Sequence, residues 1–307
     1  MTIAVPDAAA RAPTIGPEKP PPGAGKASSG IALLAPSALL IVFFFAALVW
    51  LFQHSVEPYA PTGQAVEPGL TLTHYAKALS DALYVQSLWV TFKLSFIATV
   101  FALLLGYPLA YQMVRTNSAR VRTFLILTIA IPFLTNLIVR LYALTLVLGN
   151  TGLINKFAIW SGLMTENEIL PLVRNDLGVG IGLTYFVLPF VVFTLATALR
   201  RLDTTLEEAA MSLGANKVVT FFKVTLPLSM PGVIGAATLS FILSASAFAT
   251  PLILGEGSVA MIANTIYDQV LFVENIPFGA ALAVIALVIT ILLLYLQARL
   301  TRKRYGA

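Results

Sequence analysis

From residue 31 to residue 52 the chain runs for about twenty residues without a charged side chain, and five more apolar blocks follow at about 85–114, 124–148, 178–199, 231–254 and 277–300. A hydrocarbon layer ~30 Å thick takes about 20 residues of helix to cross, so each block is long enough for one passage. No soluble core within reach of 307 residues could bury all six. Inside lipid a backbone must pair its own N–H and C=O groups, and blocks of this length do so as helices. The sequence therefore predicts an all-α, polytopic membrane protein with six transmembrane helices. Its composition agrees: 11% charged residues, against about 25% in soluble domains, and a mean hydropathy of +0.87.

Ahead of the first block, residues 1–29 hold six prolines among Ala, Gly and Ser. That composition cannot bury enough apolar surface to offset chain ordering, and it predicts a disordered cytoplasmic tail followed by one transmembrane domain over 30–307. The first block is longer than the 7 to 15 apolar residues of a signal-peptide core, which makes it a retained helix. With the N-terminus inside, the inner segments collect 14 of the 19 basic residues, among them Arg115, Arg120, Arg122, Arg200, Arg201, Lys217 and Lys223. The outer segments collect 9 of the 14 acidic residues, from Glu57, Glu67 and Asp81 through Glu166, Glu168 and Asp176 to Glu256, Asp268 and Glu274. The basic bias predicts N-in, C-in by the positive-inside rule, and it accounts for the net charge of +5 without nucleic acid as a partner.

Pro108, Pro132, Pro189 and Pro251 fall inside apolar blocks, where neighbouring helices can satisfy the freed backbone; they read as kinks or as hinges. Zero cysteines exclude disulfides, thiolate zinc sites and cysteine nucleophiles, and two histidines, His54 and His74, offer little for a metal or an imidazole base. The composition argues against an enzyme.

The segment at about 200–230 is the most informative. Thr205 followed three residues later by Glu208 has the spacing of a capping box, and Leu206, Ala209, Ala210 and Leu213 recur at helical spacing ahead of Gly214. This predicts a short amphipathic helix on the cytoplasmic face, then a second one over 216–225 ended by Leu226-Pro227. The run Glu208-Ala209-Ala210, then Gly214, Val224 and Leu226-Pro227 at fixed spacing resembles the EAA signature of importer permeases of the ATP-binding-cassette class, with Val224 where isoleucine is commoner. The resemblance implies a coupling helix, with Glu208, Ala209, Ala210, Gly214, Leu226 and Pro227 in the element that docks on an ATPase subunit.

Beyond the tail, nearly the whole chain is similar to permease subunits of spermidine/putrescine-type importers and their relatives for opines and other small solutes. The stretches 131–143, 152–155, 249–255 and 261–264 carry this likeness. It implies a bacterial inner-membrane permease that forms half of a path for a polyamine, opine or related amino-acid-like solute. It also implies a second related permease, two ATPase subunits and a periplasmic solute-binding protein as partners. ATP and Mg would sit on the ATPase subunits and no cofactor on this chain; the glycines Gly178, Gly180 and Gly182 lack the Gly-Lys-Ser/Thr of a phosphate loop.

Lys93 and Arg140 are the full charges within the apolar blocks. Lys93 lies near the outer end of its block and can snorkel. Arg140 lies deeper; it can pair with a partner subunit, cap carbonyls at a kink, or face the solute path. A path-facing arginine suits an anionic or zwitterionic solute. A polycation would call for aromatic faces such as Tyr142, Tyr185 and Phe248, which equally serve as packing residues. With Asn136 and Arg140, these are the candidate path residues. An ion-driven secondary carrier is the alternative, but it needs ionisable groups near the midplane and often internal repeats, neither of which is evident. A membrane-embedded enzyme would need clustered His, Asp or Glu.

Overall fold

A computed structural model describes residues 27–59, 69–165 and 168–305; residues 1–26 of the proline-rich tail, Glu67 and Glu166 lie outside the described residues. The described elements are helices: α1 (Ala27–His54), α2 (Thr73–Ser80), α3 (Ala82–Arg115), α4 (Ala119–Leu134), α5 (Leu137–Leu148), α6 (Leu153–Trp160), α7 (Asp176–Arg200), α8 (Thr205–Ser212), α9 (Lys217–Thr220), a π-turn (Phe221–Thr225), α10 (Leu226–Ala245), α11 (Ala249–Gly255), α12 (Ile262–Leu271) and α13 (Ile276–Tyr305). They fall into two units, Met1–Trp50 and Leu51–Ala307. The first holds most of α1, an uncharged helix with Pro36 inside it.

In the second unit α3, α7 and α10 pack together, and their contact faces explain why. Along α3, Ser87, Thr91, Ser95, Ala98, Thr99, Ala102, Gly106 and Ala110 are buried, while Trp89, Phe96, Phe101 and Leu104 are exposed. Most of the buried side chains are small, with Leu88, Leu94, Tyr107 and Met113 the larger ones among them, because in lipid helices gain by close approach. Ala102, Tyr107 and Ala110 of α3 meet Val187, Val191 and Leu195 of α7 and Ala236 of α10. A second cluster joins Leu94, Leu141, Val179, Leu183 and Leu254 from α3, α5, α7 and α11. Gly182 is needed there, since a Cβ would overlap the Leu254 side chain.

The buried hydroxyls of α3 are satisfied locally: Thr91 Oγ1 donates to Ser87 O at 2.7 Å, Ser95 Oγ to Thr91 O at 2.7 Å, and Thr99 Oγ1 to Ser95 O at 2.8 Å. Thr91 Oγ1 also accepts from the Ile262 N–H at 2.7 Å. That amide opens α12 and has no partner within its own helix, so a side chain of α3 caps it in a medium without water.

Six helical runs are long and apolar enough to cross a membrane: Pro36–His54, Ala82–Arg115, Leu137–Trp160, Asp176–Arg200, Lys217–Ala245 and Ile276–Arg299. The number agrees with expectation, but two apolar blocks are not continuous. The block at 124–148 breaks at Thr135–Asn136, where the Asn136 side chain accepts from the Ile138 N–H at 2.8 Å and starts α5. The block at 231–254 breaks after Ala245, and α11 begins at Ala249. Pro251 therefore sits in the first turn of α11, where its missing N–H costs nothing; Pro108, Pro132 and Pro189 lie inside their helices, Pro132 in the last turn of α4.

Candidate functional site

Helix α8 stands in the connection between α7 and α10, and it is stopped at both ends. Its N-cap is Thr204, one residue before the expected position, and Thr204 makes no side-chain cap. The Thr205–Glu208 capping box is not formed, because Thr205 is already helical. Asp203 does the work instead: its Oδ1 accepts from the Thr205 N–H at 2.9 Å, and that bond holds the Asp203 carboxyl below the usual carboxylate range. At the other end, Ala215 N–H reaches Ala210 O at 3.1 Å and Gly214 N–H reaches Met211 O at 3.0 Å. These two bonds make a Schellman stop, which requires the left-handed conformation that Gly214 adopts at φ 90°.

The two faces of α8 differ. Glu207 and Ala210 are half-buried, whereas Glu208, Ala209 and Ser212 are exposed. Leu206, Met211 and Leu213 are exposed by 48%, 41% and 90%. The signature residues thus divide, with Glu208 and Ala209 outward and Ala210 inward. Past Gly214, α9 passes into the π-turn, where the Leu226 N–H reaches back five residues to Phe221 O. Leu226-Pro227 does not end this helix. The widened turn accommodates the proline, which becomes an early residue of α10, where it has no N–H to lose.

Glu207 was not singled out by spacing, yet its carboxylate ties the loop to two other elements. Its Oε1 accepts from Arg115 Nη2 at 2.7 Å and from Thr225 Oγ1 at 3.0 Å. Two adjacent acids at 207 and 208 look alike in sequence; a helix turns about 100° per residue, so one points in and the other out.

Of the candidate path residues, the structure brings Arg140 and Tyr185 together. The guanidinium of α5 lies 5.9 Å from the Tyr185 ring centroid on α7, while its Nε and Nη1 are buried without a hydrogen-bond partner. Asn136 is exposed and serves as the N-cap of α5. Tyr142 is 61% exposed, and Phe248 packs on Tyr267 with centroids 4.8 Å apart. Tyr185 also lines a groove of about 600 Å³ between α3 and α7, with Phe101, Leu105 and Ile181 on its apolar wall. Lys93 and Asp176 stand at the groove and pair at 2.6 Å, so Lys93 has a partner within the chain as well as a route to snorkel. Among the described residues no group of three or more His, Asp or Glu side chains could hold a metal.

The described helices supply six membrane-crossing runs, with a capped short helix in the connection between two of them. The chain belongs to the family described as binding-protein-dependent transport system inner membrane component, which matches residues 98–305. It is 34% identical over 230 residues to the spermidine/putrescine transport system permease protein PotB of Haemophilus influenzae, covering 75% of this chain and 79% of that one. The inner membrane ABC transporter permease protein YdcU of Escherichia coli is 28% identical, covering 87% and 88%. Two crystal structures of a bacterial alginate ABC transporter, one of them with an alginate pentasaccharide-bound periplasmic protein, share the fold. Their TM-scores are 0.75 and 0.74, at 15% and 14% identity, over 90% of this chain and 96% and 95% of theirs. The protein is a multi-pass inner-membrane permease subunit of an ABC importer. Membership decides against the ion-driven carrier.

Proposed function

We propose that this permease pairs with a second related permease to enclose a solute path, that solute arrives from a periplasmic binding protein, and that α8 seats in a cleft of an ATPase subunit that supplies the energy. The observation that carries this reading is α8 itself. A helix of eight residues, stopped at both ends, presents exposed Leu206, Met211 and Leu213 beside Glu208. Exposed apolar side chains gathered on a rigid projection mark a contact surface, and a rigid projection can pass a partner's movement into the helices at its ends. ATP and Mg would be held by the ATPase subunits; the glycines Gly178, Gly180 and Gly182 are buried packing positions in the first turns of α7.

For the solute, likeness to the spermidine/putrescine permeases supports a polyamine or related small amine. Arg140 supports a second reading, an opine or amino-acid-like solute with a carboxylate, because its buried Nε and Nη1 have no partner and a guanidinium fork matches a carboxylate. Purification of the complex carrying Met211→Asp and Leu213→Asp tests the docking. The permease should insert at its normal level, the ATPase subunit should be lost, and uptake should stop. Retained ATPase subunit with normal uptake would refute the reading. The solute retained by the cognate binding protein separates the two solute classes.

A further inference from the structure

We infer that Glu207, one residue before the signature triplet, is the positioning residue that ties the coupling helix α8 to the end of α3, so that a movement of α8 reaches three helices of the bundle and not only the two it adjoins in sequence. The inference rests on the reading of α8 as the ATPase-docking helix and adds to it the route by which docking moves the core.

Helix α8 has no buried residue of its own, so packing alone does not hold it against the bundle. Its sequence neighbours are α7 before it and α9 with the π-turn and α10 after it. The contact with α3 is made across 92 residues of sequence, by Arg115 Nη2 on Glu207 Oε1 at 2.7 Å. Both side chains are largely shielded, with 16% and 13% exposure. A charge pair at this burial is held by direction more than by net stability, since its desolvation offsets much of the attraction. What such a pair supplies is a fixed register between the elements that carry it.

The same carboxylate oxygen accepts from Thr225 Oγ1 at 3.0 Å, and Thr225 is the last residue of the π-turn. The wide turn brings that hydroxyl to Glu207 just before α10 begins. Around it, the Phe221 ring stands edge-on to Tyr107 and Tyr111 of α3 at 5.4 and 5.5 Å, and Tyr107 Oη and Ser229 Oγ are 2.7 Å apart. Arg115, Glu207 and Thr225 therefore join the end of α3, the inner face of α8 and the entry to α10 at one oxygen atom. Helix α3 has 34 residues with Pro108 inside it, about 50 Å at 1.5 Å per residue, so Arg115 stands at one end of an element long enough to run the depth of the bundle. Glu208, on the outer face, remains free to meet a partner surface; Glu207 faces the wrong way for that.

The test uses the reconstituted importer, complete with its ATPase subunits and binding protein. Glu207→Gln keeps the shape and the acceptor oxygen and removes the charge; Arg115→Gln removes the other half. Each should leave the ATPase subunit bound while solute moved per ATP hydrolysed falls about tenfold, within the 5–150-fold range of coupling between sites. The exchange Arg115→Glu with Glu207→Arg should recover part of that ratio. Because the chain has no cysteine, Arg115→Cys with Glu207→Cys can be re-tied by a thiol-reactive bifunctional linker, and the ratio should rise on linking. Wild-type ratios in both single variants would overturn the inference. So would loss of the ATPase subunit from Glu207→Gln, which would make Glu207 a docking residue. Absence of an ATPase subunit from the wild-type complex would instead overturn the reading of α8 beneath it.

Discussion

Lys93 Nζ lies 2.6 Å from Asp176 Oδ2, so the lysine inside α3 is neutralised by the first residue of α7. The pair is partly open, at 38% and 44% exposure, and contributes at most about 1 kcal/mol. Asp176→Asn should lower the thermal midpoint of the purified complex by about 2–4 °C, and Lys93→Met should restore it in the double variant. A midpoint unmoved by Asp176→Asn would show that the pair contributes nothing.

Gly214 has φ 90° and open space where a Cβ would stand, so the penalty for a side chain there is conformational and not steric. Gly214→Ala should cost about 1–2 kcal/mol of local stability, Gly214→Asn less, and uptake should follow that order. Gly214→Glu and Glu208→Lys should abolish uptake with the permease still inserted. Equal uptake in all four variants would remove α8 from the transport cycle.

Arg140 discriminates between solutes. If it meets a carboxylate, Arg140→Ala should cut uptake with little loss of complex, and Arg140→Lys should recover only part, because a point charge cannot replace a fork. If the solute is a polyamine, removing the charge should leave uptake unchanged or raise it. If Arg140 is structural, the alanine variant should lower the yield of complex. Uptake normalised to assembled complex, measured beside the yield, separates the three.

The Asp203 cap sets a pH response. Its carboxyl titrates below its ordinary value when bonded to the Thr205 amide, so the cap has its full, charge-assisted strength above the ordinary aspartate pKa and weakens as pH falls through the lowered folded value, where the neutral acid still accepts through its carbonyl oxygen. A spin label on Leu206→Cys, unique in a chain without cysteine, should be restrained at neutral pH and loosen on acidification. With Asp203→Asn added, the part of the transition that belongs to this cap should disappear, since an amide oxygen accepts the bond at any pH, and what remains reports the Glu207–Arg115 pair.

Orientation can be read by the same chemistry. Single cysteines at Arg122 and Lys217 should resist membrane-impermeant thiol reagents applied from outside, and those at Glu168 and Glu256 should react. An externally reactive cysteine at Lys217 would overturn the N-in arrangement.

The number of crossing helices, the lipid around them and the family were legible in the residues alone, while the third and fifth crossings run over 137–160 and 217–245 and not over the apolar blocks at 124–148 and 231–254. An uncharged run of some twenty residues has one way to pair its backbone in hydrocarbon, and the spacing from Glu208 to Pro227 survives any change in packing. The breaks at Asn136 and after Ala245 were not legible, because hydropathy sums composition across a block while a break is made by one cap or one turn inside it. Asn136 carried a signal, since asparagine is a favoured N-cap, but it stood in an apolar block that read as continuous. Pro227 looked like a helix end, but the helical run continues from the π-turn into α10 through it, because the wide turn ahead absorbs the mismatch. Glu207 and Glu208 mark the limit most clearly. They are the same residue type one position apart, and which of them faces the bundle depends on how α8 is rotated about its axis. That rotation is set by Arg115 and Thr225, which lie 92 residues before and 18 residues after Glu207, and only the tertiary structure brings them to it.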